Sequence, residues 1–308
     1  MAIFSANFPE AMETRAKEWF FRNYMQLPLM FPKIFKRQRS TARQEDAVRA
    51  AGFGTFMDKA EGTPVAFDDP VEGSRIRTTH TTFALGYRAT WEAIEDDQWD
   101  ILDQMPADLG DAARDHQERI AWALLNDAFA GNTFTGLDGL ALFSTAHTTL
   151  RAGVGTQSNS LSPAIELGVA GLEAAMTLAR NTQSEEGRQI NVQLRKLLYN
   201  PALMHTAFTL LNTEYRMGSA DNDKSTVATT RSGISPVEDM GVPYITSTTS
   251  WSLHTGNSGK EALRWFDRAN LFFERGRDAL TWDQLHWGGY RAHVALRDWR
   301  GHVGSNFA

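Results

Sequence analysis

One long helix is the feature that most constrains this chain. Residues 106–130, PADLGDAARDHQERIAWALLNDAFA, open with Pro106 and stop before Gly131-Asn132, which suits a helix start and a helix end. At 1.5 Å per residue they predict a rod of about 37 Å, about twice the average helix length. Its stripe residues recur at helical spacing, namely Leu109, Ala113, His116, Ile120, Ala123 and Leu124. We expect His116 to be a core or interface histidine rather than a ligand.

Residues 64–88 predict a β-hairpin. Asp69-Pro70-Val71-Glu72-Gly73 supplies the turn residues, and the flanks are rich in Val, Ile and Thr. The outgoing strand carries Arg, Thr and His on both faces over residues 75–82. A hairpin without an apolar face gains too little from burial to be stable alone. We therefore expect it to project and to rest on another subunit.

The rest of the chain predicts a mixed α+β fold without internal repeats. Helices are predicted over residues 9–24, 91–102, from Ser162-Pro163 through Ala179, and 201–211, with Thr90 and Asn200 as N-caps. Strands are predicted over residues 190–194, 262–274 and 290–299, the last with Tyr290, Ala292, Val294 and Leu296 on one face. Residues 27–43 predict an extended arm, and residues 212–233 a polar loop.

Composition excludes several classes of protein. The net charge of −6 argues against a dedicated nucleic-acid binder, whose affinity comes from Lys and Arg. The chain has no cysteine, so it has neither disulfides nor thiolate metal sites. No run reaches the roughly 18 apolar residues of a membrane helix. The start lacks a basic region followed by an apolar one, so we expect no secretory signal and synthesis in the cytoplasm.

Catalytic and cofactor motifs are scarce. The phosphate-binding loop, the dinucleotide fingerprint and the H-E-x-x-H metal motif are all absent from the sequence, and we predict neither cofactor nor metal. Asp138, Ser144 and His147 have the residue types of a hydrolytic triad. However, Ser144 lacks a G-x-S-x-G elbow, and triads are recognised by geometry. We therefore favour a structural loop that buries Leu140, Leu142 and Phe143, with a serine hydrolase as a remote alternative.

Three segments carry a resemblance to a known family. They are LGYRATWEAIEDD at 85–97, GLDGLALFSTAH at 136–147 and GGYRAHVALRDWRGHVGSNF at 288–307. Together with the order of elements, they resemble the major capsid proteins of tailed bacteriophages with the Hong Kong 97 fold, most of all the Mu-like major head subunit. The resemblance spans nearly the whole chain.

That resemblance implies an α+β fold with a particular division of the chain. It implies an N-terminal arm over residues 1–60, an extended loop over 61–90, and a peripheral domain over 91–161 with its spine helix at 106–130. Residues 162–275 would be mainly the axial domain, and residues 276–308 would supply strands that return to the peripheral domain. The segment from 137 to 147 would then be structural.

The resemblance also implies a structural function. Copies would assemble as pentamers and hexamers into an icosahedral shell that encloses double-stranded DNA, in a virion assembled in the host cytoplasm. The implied partners are other copies, a scaffolding protein, a portal, a decoration protein and weakly bound DNA, with no membrane. Unlike some relatives, the sequence has no long charged helical pre-sequence, so we expect either a separate scaffolding protein or a processed chain. An encapsulin-like compartment that holds protein cargo is the alternative within this fold.

Charged residues supply the candidate contact sites. Arg75, Arg77 and Arg88 suit pairing with carboxylates across a subunit boundary, and Glu95, Asp96 and Asp97 are the candidate partners. A basic cluster on the arm could face the interior of a shell, and comprises Lys33, Lys36, Arg37, Arg39 and Arg43. Some capsids join subunits by an isopeptide bond from a loop lysine. Since residues 60–195 contain no lysine and Lys59 precedes the predicted hairpin, we expect no such bond.

Overall fold

The computed structural model describes residues 9–96, 101–151, 153–213, 237–255 and 262–307. The helices are α1 (Pro9–Gln26), α2 (Trp91–Glu95), α3 (Ile101–Asn126), α4 (Val169–Arg180) and α5 (Met204–Asn212). The strands are β1 (Lys36–Arg39), β2 (Gln44–Ala51), β3 (Val71–Thr79), β4 (Thr81–Ala89), β5 (Lys196–Tyr199), β6 (Glu238–Gly241), β7 (Trp251–His254), β8 (Leu263–Arg277), β9 (Gln284–Leu296) and β10 (His302–Ser305).

A four-stranded sheet in the order β1-β8-β9-β4 packs against the long helix α3. Trp122 of α3 and Trp265 of β8 are both fully buried in the core between them. The buried Glu118 of α3 accepts hydrogen bonds from the Trp122 indole (2.6 Å) and from the backbone N–H groups of Met30 and Phe31. Glu118 thereby fixes the segment that contains Met30 and Phe31 on α3. Burial raises the pKa of the Glu118 carboxyl.

The N-terminal helix α1 lies against α3, and Gly110 allows the close approach. A Cβ atom at Gly110 would lie 2.3 Å from the carbonyl oxygen of Phe20. Phe20 is buried against Leu109 and Phe273, and Tyr24 donates to the side-chain oxygen of Gln117 (2.8 Å). The absence of a side chain at Gly110 is therefore what lets the two helices touch.

A second sheet, in the order β10-β7-β5-β6, forms a separate core with α4 and α5. Trp251 and Leu253 of β7 are buried there, and so is Val303 of β10. Strand β10 comes from the C-terminus and joins this sheet. The preceding strand β9 is in the first sheet, so the last residues of the chain connect the two cores.

The predicted hairpin over residues 64–88 is wrong in its pairing. Strand β3 pairs antiparallel with β2, and β4 pairs antiparallel with β9. Residues 64–68 are not a strand, so the hairpin is β2–β3, joined by residues 52–70. The reason is long-range complementarity: Asp46 of β2 lies opposite Arg77 of β3. Lys59 therefore lies in the connecting segment, so the expectation that it precedes the hairpin is wrong too.

The starts of two helices also differ from the predicted ones. Helix α3 begins at Ile101, so Pro106 lies inside it and leaves one backbone carbonyl without a helical donor. Helix α4 begins at Val169 rather than at Ser162, because the backbone of Ile165 is hydrogen-bonded to the side chains of Ser305 and Trp251.

The strand predicted at 190–194 lies instead at β5, which pairs with β6 and β7. The predicted extended arm contains a short 3-10 helix and the strand β1. The polar loop lies outside the described residues from position 214 onward.

Several predictions are confirmed. The side chains of Thr90 and Asn200 cap their helices, accepting from the N–H groups of Ala93 (3.3 Å) and Ala202 (3.0 Å). The two C-terminal β runs form the long strands β8 and β9. The face predicted for β9 is buried in the first core, with Tyr290, Ala292, Val294 and Leu296. Among the helices that the structure describes, none has the length and apolar character needed to cross a membrane.

Candidate functional site

The residues of the possible triad form a dyad without a nucleophile. His147 Nδ1 lies 2.5 Å from Asp138 Oδ2, and both side chains are buried. His147 Nε2 lies 3.0 Å from the side-chain oxygen of Asn159, not beside Ser144. A general base must face the nucleophile that it deprotonates. His147 therefore cannot activate Ser144, and the serine hydrolase alternative is contradicted by geometry.

Ser144 has a local structural role. Its hydroxyl accepts from the N–H of Ala146 (3.2 Å), and its own N–H donates to Asn159 (2.9 Å). Burial acts to raise the pKa of Asp138, but the hydrogen bond and the electrostatic attraction of His147 outweigh it and hold that pKa below the usual range. The Asp138–His147 pair is thus an internal hydrogen bond of the loop.

Asn159 joins this loop to the C-terminal strand. Its amide donates to the carbonyl oxygens of Leu142 (2.7 Å) and His302 (3.0 Å). The ring of His147 stacks on Trp299 with centroids 4.3 Å apart. No sequence signal marked Asn159, because its partners lie up to 143 residues away. As predicted, Leu142 and Phe143 are buried in the core, while Leu140 is only partly buried.

The β2–β3 hairpin, here called the arm, is fastened to its own subunit. Arg49 of β2 is almost fully buried and forms a two-pronged ion pair with Glu185 (2.9 and 3.0 Å). Arg300 also reaches Glu185 (3.2 Å), so one carboxylate joins the arm to the C-terminal loop. The base of the arm is therefore held by its own subunit, and contact of the arm with another subunit stays a prediction.

A second arginine, Arg151, lies outside the arm and also binds it. Arg151 donates two hydrogen bonds to the carbonyl oxygen of Gly52 (3.0 and 2.7 Å) and one to that of Asp69 (2.9 Å). It also pairs with Asp68, whose pKa is lowered first by the N–H of Gly54 and then by Arg151. Arg151 thus binds both ends of the segment that connects β2 to β3.

The connecting segment itself, residues 52–70, here called the arm tip, exposes apolar side chains. Phe56 is 103% exposed and Phe67 is 95% exposed. Phe53, Met57 and Val65 are exposed as well. Exposed apolar side chains gathered in one short segment are typical of a contact site for another protein.

The predicted arginines all have partners in their own chain. Arg77 pairs with Asp46 at 2.9 Å, and Arg75 pairs with the same carboxylate. Together they lower the pKa of Asp46. Arg88 pairs with Asp283, and it donates to the Thr281 hydroxyl at 2.8 Å.

The predicted acidic partners are not brought to these arginines. Asp96 is exposed just after α2, the side chain of Glu95 is not among those described, and Asp97 lies outside the described residues. Contact between the two sets across a subunit boundary stays a prediction.

Comparison with known proteins decides the family. A model of the phage capsid protein family matches residues 74–304. The chain belongs to this phage capsid protein family. None of the curated protein sequences matches the chain. The resemblance to phage capsid proteins that the sequence indicated is confirmed. The narrower resemblance to the Mu-like major head subunit stays a prediction.

Solved structures confirm the capsid fold. The procapsid of bacteriophage JBD30 is similar over 99% of this chain and 77% of that chain, with a TM-score of 0.52 and 14% identity. The capsid of cyanophage P-SCSP1u covers 90% of this chain and 87% of its own, with a TM-score of 0.58 and 10% identity. A virus-like particle from Pyrococcus furiosus covers 95% and 98%, with a TM-score of 0.53 and 7% identity. These likenesses show a fold that is shared by different shells.

The protein is therefore a structural capsid protein, located in the virion, and it is not an enzyme. The family match favours a phage capsid over the encapsulin-like alternative. Within the described residues, no group of three or more His, Asp or Glu side chains could hold a metal ion.

The basic cluster of this capsid subunit is exposed, with two of its five members paired internally. Lys33 lies 3.2 Å from Glu238, and Arg37 pairs with Asp267. In the part of the chain that the structure describes, the other three make no ion pair, namely Lys36, Arg39 and Arg43. Lys36 and Arg39 lie on β1, which is the end strand of its sheet.

Proposed function

We propose that this protein is the major head subunit of a tailed phage, built as pentamers and hexamers of an icosahedral shell around double-stranded DNA. The apolar arm tip supports this function, because the described residues of the subunit leave Phe56 and Phe67 fully exposed, and a neighbouring copy would cover them. Assembly would take place in the host cytoplasm. A scaffolding protein, a portal and a decoration protein are proposed from the family resemblance.

Electron microscopy and sedimentation of the expressed protein test this function. The expected result is closed shells that sediment far faster than the 34.4 kDa chain. A matched variant replaces residues 55–67 with a short Gly-Ser linker and retains β2, β3 and Arg151. We expect it to fold as a soluble subunit that does not close shells. A stable monomer from the unaltered chain would contradict the function.

The proposed orientation places the basic cluster toward the interior. Lys36, Arg39 and Arg43 could neutralise phosphates without sequence preference, which suits DNA that must be packed and released. Replacing these three with Gln should leave empty shells intact and reduce the DNA protected from nuclease in particles. Protein cargo in place of DNA in purified particles would favour the encapsulin-like alternative.

The proposed division into domains follows the resemblance, with three changes. The extended loop is the β2–β3 hairpin rather than residues 61–90, β4 and β8 belong with the peripheral domain, and β10 belongs with the axial domain rather than returning to the peripheral one. The two hydrophobic cores support a division in which α3 belongs to the peripheral domain and α4 to the axial domain. Arg75, Arg77 and Arg88 are proposed to meet Glu95, Asp96 or Asp97 of a neighbouring copy. Each exposed pair of this kind is worth only about 0–1 kcal/mol, so the contact depends on repetition around the shell.

A further inference from the structure

The face of the first sheet that points away from α3 is basic at one end. Tyr290 of β9 bonds to His116 of α3 (2.8 Å), so its side chain points toward the helix. Because successive side chains of a strand point to opposite faces, Arg291 and His293 lie on the other face. Phe266 of β8 lies opposite His293 in the ladder and shares that face. Arg291 and His293 are thus neighbours on a surface where both are only partly exposed.

The buried His80, between β3 and β4, lies beside these residues. Its ring is edge-on to that of Phe266, with centroids 6.3 Å apart. Arg291 donates to the backbone oxygen of His80 (3.4 Å), and Arg268 of β8 donates to that of Ser40 (3.5 Å). Ser40 Oγ lies 3.0 Å from His80 Nε2. Two arginines therefore flank one buried imidazole, and the charge of that imidazole also acts with burial to lower the pKa of the nearby His293.

The positive charge of this cluster is poorly compensated. In the part of the chain that the structure describes, neither Arg268 nor Arg291 forms an ion pair, and each makes one long hydrogen bond to a backbone oxygen. The Nε atom of Arg291 is buried without a partner there. Glu45 is the carboxylate that acts on His80, and it accepts from the Ser40 hydroxyl (2.6 Å). Because partly buried charge without a partner is costly, the cluster is suited to bind an anion.

His80 has one ring nitrogen left for such an anion. Since Ser40 gives its hydroxyl proton to Glu45, the same oxygen accepts from His80 Nε2, and the neutral ring carries its proton there. His80 Nδ1 is buried and has no hydrogen-bond partner among the described residues. Burial and the charges of Arg291 and Arg268 lower the pKa of His80, and the charge of Glu45 opposes them. An anion that accepts from Nδ1 would raise that pKa, so binding would take up a proton.

We propose that Arg268, Arg291, His80 and His293 bind a phosphate group. A phosphate group has more acceptor oxygens than a carboxylate and can accept from two guanidinium groups and an imidazole at once. Two sources have this chemistry, namely the backbone of DNA and phosphate free in solution. The site lies within one subunit, so it needs no contact between copies and goes beyond the proposed shell function.

Calorimetric titration of the expressed protein with inorganic phosphate tests the site. Arg268→Gln/Arg291→Gln should bind phosphate at least about tenfold more weakly, because hydrogen bonds to charged groups are lost. The control Arg180→Gln/Arg195→Gln removes the same charge from two exposed arginines of the second domain and should leave phosphate binding unchanged. No phosphate binding by the unaltered chain, or equal binding by the first variant, would overturn the proposal.

A short labelled DNA duplex distinguishes the two sources. If the DNA backbone supplies the phosphate, the duplex should bind the first variant at least about tenfold more weakly than the control, and inorganic phosphate should displace it from the unaltered chain. If free phosphate is the ligand, the duplex should bind both variants equally while phosphate binding still differs between them. Either result supports the phosphate site and identifies its source.

Exchange of the histidine C2 protons, followed by mass spectrometry across a pH series, tests the site in the unaltered protein. Saturating phosphate should shift the titration midpoint of His80 upward and leave that of the exposed His205 unchanged. An unmoved midpoint for His80 would overturn the proposal even if Arg268→Gln/Arg291→Gln fails to fold. Absence of shells from the unaltered chain would instead count against the proposed function and not against this site.

Discussion

Arg151 and Asp68 form a two-pronged ion pair, with Nη1–Oδ1 at 3.0 Å and Nη2–Oδ2 at 2.9 Å. The same guanidinium donates to the carbonyl oxygens of Gly52 and Asp69. One side chain therefore holds both ends of the arm tip on the subunit body. The arm is thus held in a defined position by its own subunit, and its tip is exposed.

Arg151→Ala should release the arm tip without unfolding the subunit. The ion pair with Asp68 is exposed, and the sheet and helix cores do not involve it. We expect trypsin to cut after Lys59 at least about tenfold faster, because local opening exposes the bond. The melting temperature should change little. Arg77→Ala, which removes a pair within the arm, is the matched control and should leave the cleavage rate near that of the unaltered chain.

Asn159→Ala should be strongly destabilising, whereas Ser144→Ala should be nearly neutral. Loss of the Asn159 amide leaves the buried carbonyls of Leu142 and His302 without donors, and His147 loses a ring partner. Each unsatisfied buried group costs about 1–3 kcal/mol, so we expect about 3 kcal/mol or more in the free energy of unfolding. Urea denaturation measures both variants. Fluorophosphonate should not label Ser144, and stoichiometric labelling would contradict the structural role.

Gly110→Ala should detach α1 from α3. Alanine favours a helix by about 1 kcal/mol over glycine. At this position, however, the new Cβ would lie 2.3 Å from the Phe20 carbonyl oxygen. We expect a net loss of stability and faster proteolysis within residues 15–24. Gly168→Ala, where the nearest atom lies 3.9 Å away, is the control; it loses only the preference for glycine at the N-cap of α4 and should cost less stability. Equal melting temperatures for the two variants would show that the close approach has no energetic role.

Acid should weaken the second sheet. His254 and His302 are buried with their Nδ1 atoms 2.6 Å apart. Burial lowers the pKa of His302 to about 3, and burial with the positive charge of His302 and Lys196 lowers that of His254 well below its ordinary value. Both histidines bind protons in the unfolded chain near pH 6.5 but not in the folded one. The contribution of the two uncharged histidines to the free energy of unfolding is therefore complete above about pH 6.5 and is lost progressively toward pH 3.

When the pH falls from 7 to 5.5, each histidine should lower the free energy of unfolding by about 1 kcal/mol. Denaturation of the subunit at the two pH values measures this difference. His302→Phe should reduce the pH dependence even if it lowers stability overall. Replacement of the exposed His205 with Gln should not change it. If the free energy of unfolding of His302→Phe depends on pH as strongly as that of the unaltered chain, another group dominates the pH dependence.

Mature shells should dissolve to single 34.4 kDa chains in hot denaturing detergent. The contacts proposed for assembly are apolar and ionic interactions, and hot detergent disrupts both. Lys59 lies on the arm tip, so it is the residue to test. A ladder of covalent multimers that disappears in Lys59→Arg would overturn this prediction, because arginine stays protonated and cannot form an isopeptide bond.

Local chemistry determined much of this protein from the sequence alone. The long helix, the caps at Thr90 and Asn200, the buried face of β9 and the burial of Phe143 all follow from residue spacing or from neighbours a few positions away. The capsid resemblance was also recognisable, because it depends on the order of such elements.

Only the tertiary structure decided which segments pair. The sequence could not show that β3 pairs with β2 while β4 pairs with β9, since the partners of β4 lie about 200 residues away in the chain. Nor could the sequence show that Asn159 lies beside His147 or that Arg151 binds both ends of the arm tip. Strand edges and polar side chains accept many partners, and the choice depends on which remote segments the two cores bring together in space.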